Sequence, residues 1–124
     1  MFLLMAQRRA GKWNTAMHRE GAWADWQEKT YSLFGRRIGL HGFGHVGREL
    51  ARLLTPFQVE VFAYDPHVPA ALFAEFGVRP AASLTEIFSN CDAVVAVAAL
   101  VPEPLGIITE ELLRRLPPTG AFVN

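Results

Sequence analysis

Residues 37–51 read RIGLHGFGHVGRELA, and residues 59–65 read VEVFAYD. The first stretch begins as a short apolar strand and passes through three glycines with the spacing GxGxxG, after which the residues follow a helical pattern. The second stretch is a strand that ends in an acid, 18 residues after the third glycine. Strand, glycines, helix, strand and acid within about thirty residues are the layout of a dinucleotide-binding βαβ unit.

Each of these residues has a physical task in such a unit. Gly42 permits the sharp turn out of the strand, Gly44 leaves room for a pyrophosphate because it has no Cβ, and Gly47 allows helix and strand to pack closely. The N-terminus of the helix offers unpaired N–H groups and a partial positive charge to the phosphates. Asp65 stands where a carboxylate would accept hydrogen bonds from an adenosine ribose. The sequence therefore predicts a nucleotide site at the end of the first strand.

The remainder of the chain alternates between strand and helix patterns. We predict strands near residues 37–41, 59–64, 78, 93–97 and 121–123, and helices after the glycines, near 70–76, over 83–89 and from 109. The helix after the glycines is expected to gather its apolar residues on one face, namely Val46, Leu50, Leu53 and Leu54. Such alternation indicates an α/β fold, a Rossmann-type doubly wound parallel sheet that is truncated after the fifth strand.

The bulk composition restricts the class of protein. At 124 residues, of which 51% are hydrophobic, the chain is long enough for one domain with its own core. Its 12 basic and 12 acidic residues give a formal net charge of zero, which argues against nucleic acid and an anionic membrane as partners. The apolar start is too short to span a bilayer, and its positive charges follow it rather than precede it. We therefore expect no signal peptide and a cytoplasmic location.

Single titratable residues do not indicate a catalytic or metal site. Cys91 is the only cysteine and is expected to be a buried, inert thiol, and the four histidines show no metal-ligand spacing. His41, at the end of the first strand, is expected to be a satisfied histidine in the core or at its rim. No arrangement supplies both a base for a hydroxyl proton and a cation for a carboxylate. We therefore predict no catalytic and no metal-binding residue in this chain.

Longer runs of the sequence resemble the D-isomer-specific 2-hydroxyacid dehydrogenase family. The resemblance lies in GFGHVGRELA at 42–51, AYDP at 63–66, CDAVV at 91–95 and PEPLGIITEELL at 102–113. GAFVN at 120–124 also resembles the segment just before the catalytic arginine of that family. The similarity covers nearly the whole chain. It implies NAD as the cofactor and, in the full-length enzyme, hydride transfer between nicotinamide and a 2-hydroxy or 2-oxo acid.

The resemblance also implies roles for individual residues. The backbone amides of His45 and Val46 would meet the pyrophosphate, and Asp65, followed by Pro66, would match the ribose-binding acid. The loop after the fourth strand would lie along the cofactor, and its residues are Ala98, Ala99 and Leu100. Family members usually carry a threonine in this loop, whereas residues 101–104 read VPEP.

The resemblance divides the chain into two parts. Residues 1–34 are expected to form a helical and connecting segment that wraps the domain with Trp13, Trp23 and Trp26, and residues 35–124 an incomplete NAD-binding Rossmann domain. The substrate domain and the family's arginine, glutamate and histidine are absent from these 124 residues, so we expect a fragment without turnover of its own. Family dimers pair through the cofactor domain, which makes a homodimer a further expectation.

Two alternative functions remain open at this point. The chain could be a non-catalytic nucleotide-binding or interaction module. It could also belong to another Rossmann class, such as the S-adenosylmethionine-dependent methyltransferases. The GxGxxG spacing with a helix directly after it suits a pyrophosphate better than a sulfonium nucleoside, which argues against the second alternative.

Overall fold

The computed structural model describes part of the chain, namely residues 11–12, 15, 18–19, 32–98 and 106–124. The chain forms two compact units, Met1–Ser32 and Leu33–Asn124. In the first unit the described residues before Ser32 are helical, and the Thr15 hydroxyl donates a 3.0 Å hydrogen bond to the carbonyl of Gly11. Trp13, Trp23 and Trp26, the predicted packing anchors, lie outside the described residues, so their role stays a prediction.

The second unit is built on a five-stranded sheet whose paired strands all run parallel. The strands are β1 (Arg37–His41), β2 (Glu60–Tyr64), β3 (Arg79–Pro80), β4 (Ala93–Ala96) and β5 (Ala121–Val123). Their order is β3-β2-β1-β4-β5, which puts β1, with Ile38, Gly39 and Leu40 buried, in the middle of the sheet. This is the predicted Rossmann-type sheet, and the five predicted strands are confirmed.

Four helices connect these strands within the described residues. They are α1 (His45–Leu54), α2 (Ala70–Glu75), α3 (Leu84–Asn90) and α4 (Glu110–Leu113). Two of them begin at the predicted positions, 83 and 109, with a side-chain cap: the Ser83 hydroxyl accepts the Glu86 N–H at 3.2 Å, and the Thr109 hydroxyl accepts the Leu112 N–H at 3.3 Å. A 3₁₀ turn, Thr55–Phe57, follows α1 and contains Pro56, so the helix ends just before the proline.

Helices cover both faces of the sheet and form a core on each. On one face, Ile38 and Leu40 of β1 and Val61 and Ala63 of β2 pack with buried residues of the first two helices, which are Ala51, Leu54 and Phe73. On the other face, Val94 of β4 packs with Ile87 and Phe88 of α3, and Leu112 of α4 lies against them. Because side chains alternate along a strand, these two clusters lie on opposite faces, and the sheet is doubly wound as predicted.

The predicted buried face of α1 is wrong in part. Val46 and Leu53 are 60% and 70% exposed, whereas the buried residues are Gly47, Ala51 and Leu54. These three lie at i, i+4 and i+7 and still form one helical stripe. Leu54 is buried as predicted and Leu50 packs against the core, whereas the small residues Gly47 and Ala51 take the buried positions expected for Val46 and Leu53.

Candidate functional site

The carboxyl ends of β1, β2 and β4 meet around the loop that joins β1 to α1. This loop, residues 42–44, is called the glycine loop below. The Gly42 N–H donates to the carbonyl of Tyr64 at 2.9 Å, and the Val97 N–H donates to the carbonyl of His41 at 2.8 Å. The loop therefore leaves the sheet at its central strand, where the strand order reverses. In open parallel sheets ligands bind at this switch point.

The backbone conformation at Gly42 is one that only glycine adopts without strain. Its φ is +97°, and a Cβ there would lie 2.5 Å from the Cα and 2.6 Å from the nitrogen of Ala98. The predicted sharp turn is thus also a close crossing of two loops. This crossing brings the exposed residue Ala98 to the glycine loop, as the predicted cofactor site requires.

Gly44 and Gly47 differ in what surrounds them. A Cβ at Gly47 would lie 2.6 Å from the carbonyl oxygen of Gly42, so this glycine lets α1 pack tightly against the loop. A Cβ at Gly44 would meet no heavy atom of the described residues within 4 Å, and the φ of −71° there is one that any residue can adopt. The space beside Gly44 is therefore open to a ligand and leads directly to the start of α1.

The N-terminus of α1 is free to receive an anion. Gly44 is its N-cap, and within the described part of the chain no side chain caps the helix. His45 and Val46, whose amides were predicted to meet a pyrophosphate, occupy the first turn and are exposed. Arg48 Nε donates to the Gly44 carbonyl at 3.2 Å, which holds a positive charge beside the glycine loop.

Asp65 comes directly after β2 and is bonded to two backbone N–H groups. Its Oδ2 accepts the Phe43 N–H at 2.8 Å, and its Oδ1 accepts the His67 N–H at 3.0 Å. Each carboxylate oxygen has two lone pairs, so both oxygens keep acceptor capacity for ribose hydroxyls. Pro66, also predicted to touch the cofactor, is exposed beside it. The bond to Phe43 spans 22 residues and has no sequence signal.

His41 does not behave as the sequence predicts. Its Nδ1 is buried and has no hydrogen-bond partner among the described residues, so the expected satisfied histidine is wrong. Side chains alternate along β1, which puts His41 on the face opposite Leu40, with Tyr64 and Ala96 as its neighbours in register. Burial lowers the pKa of His41, and the negative charge of Asp65 opposes that shift.

The remaining candidate residues add no reactive group. Ala99 and Leu100, together with residues 101–104, lie outside the described residues. Cys91 is buried as predicted, and burial, aided by the charge of Asp92, raises the pKa of its thiol to about 12. In the described ranges no three His, Cys, Asp or Glu residues are grouped so that they could hold a metal ion. The geometry thus fits a bound anion and a ribose at the edge of the sheet.

Comparisons with known proteins agree with this geometry. The family model "D-isomer specific 2-hydroxyacid dehydrogenase, NAD binding domain" matches residues 1–124. The chain is 30% identical over 122 residues to D-3-phosphoglycerate dehydrogenase of Mycobacterium tuberculosis, covering 98% of this chain and 23% of that protein. It is 33% identical over 120 residues to glyoxylate reductase of Thermococcus onnurineus, covering 94% of this chain and 34% of that protein.

A solved structure gives the same result. The apo form of D-lactate dehydrogenase from Escherichia coli superposes with a TM-score of 0.68 at 28% identity, over 76% of this chain and 30% of that chain. The chain spans about a quarter to a third of the length of the curated relatives described above. These matches leave no support for the methyltransferase alternative.

Proposed function

Because the chain belongs to the D-isomer specific 2-hydroxyacid dehydrogenase family as an NAD binding domain, we propose that its glycine loop and the ends of β2 and β4 hold the dinucleotide. The observation that carries this proposal is the open space at Gly44, directly before an uncapped helix N-terminus. The neighbouring glycines are crowded by protein atoms, so Gly44 is the point at which a ligand can reach the backbone.

Each part of the site contributes a separate interaction in this proposal. The N–H groups of His45 and Val46 bind the pyrophosphate, and the positive end of the α1 dipole favours its charge. Asp65 accepts hydrogen bonds from the adenosine ribose, with Pro66 against the same end of the nucleotide. The family resemblance assigns Ala98, and with it Ala99 and Leu100, to the loop that contacts the dinucleotide, and Ala98 lies directly beside Gly42. None of these residues takes part in proton transfer, so their role is to bind and orient.

The activity of the whole protein follows from the family and from the chemistry of its cofactor. When bound, NAD supplies hydride transfer. The relatives are described as D-3-phosphoglycerate dehydrogenase, glyoxylate reductase and D-lactate dehydrogenase, and all three names refer to small 2-hydroxy or 2-oxo acids. We propose such an acid as the substrate, and we propose that the catalytic base and the carboxylate-binding cation belong to other parts of the full-length enzyme.

The cellular setting is a further part of the proposal. We propose a cytoplasmic location and pairing into a homodimer, with the sequence and the family resemblance as support. Across the described residues, no helix is both long enough and apolar enough to cross a bilayer. The zero net charge supports a small-molecule partner rather than nucleic acid.

Calorimetric titration of the full chain with NAD tests the cofactor site. We expect saturable binding of one NAD per chain. Leu53→Ala is the matched control, because Leu53 is 70% exposed on α1 near the opposite end from the glycine loop, and this variant should bind NAD like the wild type. Absence of saturation at millimolar NAD in a folded protein would contradict the proposal. Turnover of D-2-hydroxy acids by the full-length protein separates the enzyme from the non-catalytic module.

A further inference from the structure

We propose that Asp65 is a positioning residue that fastens the glycine loop in its binding conformation, apart from any contact it makes with a ribose. The inference rests on the proposed function, since it concerns the same site. The carboxylate connects two segments of the chain by accepting the Phe43 N–H at 2.8 Å on one oxygen and the His67 N–H at 3.0 Å on the other. Phe43 stands between Gly42 and Gly44, in the middle of the glycine loop.

The bond to Asp65 connects the glycine loop to the end of β2, just after the last backbone hydrogen bond between β1 and β2. The Gly42 N–H still donates to a backbone carbonyl, that of Tyr64, at 2.9 Å. N–H and C=O groups along β1 point alternately toward β2 and β4, so it is the turn at Gly42 that brings the Phe43 N–H to the β2 side, where the Asp65 carboxylate accepts it. Without Asp65, the part-buried Phe43 N–H would lose its acceptor, which is unfavourable in a region of restricted water access.

This bond also fixes the orientation of one peptide group. The peptide between Gly42 and Phe43 points its N–H at Asp65, while its carbonyl oxygen faces Gly47, within 2.6 Å of the position of a Cβ there. The Phe43 ring is fully buried and stacks on Phe73 with ring centroids 4.8 Å apart. With the peptide plane and the side chain of Phe43 both held, the direction in which Gly44 presents its open side is determined.

The two possible roles of Asp65, binding the ribose hydroxyls only or also holding the glycine loop, predict different results for ligands that lack those hydroxyls. If Asp65 only binds the ribose, its removal does not affect the binding of 2′,3′-dideoxy-ADP. If Asp65 also fastens the loop, its removal weakens the binding of the diphosphate in this ligand as well. Loss of the carboxylate charge by itself would favour a diphosphate, so the electrostatic change cannot mimic the expected loss.

Calorimetric titration of ADP and 2′,3′-dideoxy-ADP into the full chain and two variants provides the test. We expect Asp65→Ala to bind dideoxy-ADP roughly tenfold more weakly than the wild type, which is the effect of losing one charge-assisted hydrogen bond. Asp65→Asn removes the same charge but keeps one acceptor oxygen, so it should retain one of the two backbone bonds and lose less affinity. Dideoxy-ADP affinities within twofold in all three proteins would overturn the proposal.

Amide hydrogen exchange in the ligand-free protein gives a second readout, independent of binding. The Phe43 amide should exchange faster in Asp65→Ala and at an intermediate rate in Asp65→Asn, while the Gly42 amide should stay protected as a control for the sheet. Unchanged exchange at Phe43 would overturn the proposal. If Asp65→Ala does not fold, Asp65→Asn decides both measurements. If the wild type binds neither NAD nor ADP, the proposed function fails, and the exchange rates still decide whether Asp65 fastens the loop.

Discussion

Gly44→Val separates the binding role of the glycine loop from its structural role. In the free protein, a Cβ at position 44 has no heavy atom of the described residues within 4 Å and the backbone φ is −71°, so the Cβ of the added side chain meets no steric obstacle there. The remaining cost is the loss of glycine as a helix N-cap, about 1 kcal/mol or less. The variant is therefore expected to fold and to unfold within a few degrees of the wild type.

The same substitution should greatly weaken NAD binding. The branched side chain would occupy the open space that the proposal assigns to the pyrophosphate, and it would separate the phosphates from the N–H groups at the start of α1. Hydrogen bonds from such groups to a charged partner contribute about 1.5–3 kcal/mol each. Losing two of them gives about 3 kcal/mol, or roughly a hundredfold loss of affinity.

Gly42→Ala is the matched comparison, because it should show the opposite behaviour. Its backbone φ of +97° disfavours any side chain, and its Cβ would meet the Cα of Ala98 at 2.5 Å. We expect a clear drop in stability here and only a small one for Gly44→Val. Thermal unfolding and calorimetric titration with NAD measure the two effects. A folded Gly44→Val variant that binds NAD within threefold of the wild type would refute the assignment of the phosphate site.

Three further predictions concern single side chains. NAD should bind at least roughly tenfold more tightly than NADP, because the Asp65 carboxylate repels a 2′-phosphate. The next two residues are Pro66 and His67, so no arginine follows Asp65 to bind that phosphate. Equal affinities in a titration would contradict this. Because burial lowers the pKa of His41, the unfolded chain binds its proton more tightly, and the free energy of unfolding should fall as the pH drops below about 6.5. Urea unfolding at pH 7 and pH 5 should show this loss in the wild type and less of it in His41→Leu, and an unchanged pH dependence in the variant would count against the assignment. With its pKa raised to about 12, the buried Cys91 thiol should react with iodoacetamide at pH 8 only after unfolding, and rapid labelling of the folded protein would show that Cys91 is accessible.

The fold and the glycine roles could be predicted because their signals are local. The apolar run at β4 indicates a strand covered on both faces, and Ser83 and Thr109 mark helix starts within one turn of their hydrogen-bond partners. The requirement for glycine at 42 likewise follows from the turn between a strand and a helix. The partner that makes Gly42 indispensable, Ala98, lies far away in the sequence and could not be inferred from the spacing.

The inner face of α1 was misassigned for a physical reason. A prediction from apolar periodicity assumes that the larger apolar side chains point inward, which favours Val46 and Leu53. At the start of this helix the glycine loop comes so close that Gly47 must stay small, and the buried stripe runs through Gly47, Ala51 and Leu54. Because Gly47 is required for close packing, the buried stripe of α1 contains Gly47 and Ala51 in place of Val46 and Leu53. Apolar periodicity does not predict this, because it ranks residues by hydrophobicity alone.

Two features of the site could not be predicted from the sequence. They are the buried Nδ1 of His41, which has no partner among the described residues, and the hydrogen bond from Phe43 to Asp65. Both depend on the relative placement of strand ends that are distant in the chain, and neither produces a periodic pattern. The GxGxxG motif and the acid after β2 could each be identified, but the sequence presents them as independent contributors, one for the pyrophosphate and one for the ribose.

The hydrogen bond between them makes these two contributions interdependent. A ligand group that displaces the Asp65 carboxylate from the Phe43 N–H would also free the peptide group that orients Gly44. A 2′-phosphate is such a group, because its charge repels the carboxylate from the position in which it accepts the Phe43 N–H. Discrimination against NADP would then include a loss of order in the glycine loop as well as direct repulsion. In this proposal, Asp65 at the end of β2 would determine both the preference for NAD over NADP and the affinity of the glycine loop for the pyrophosphate.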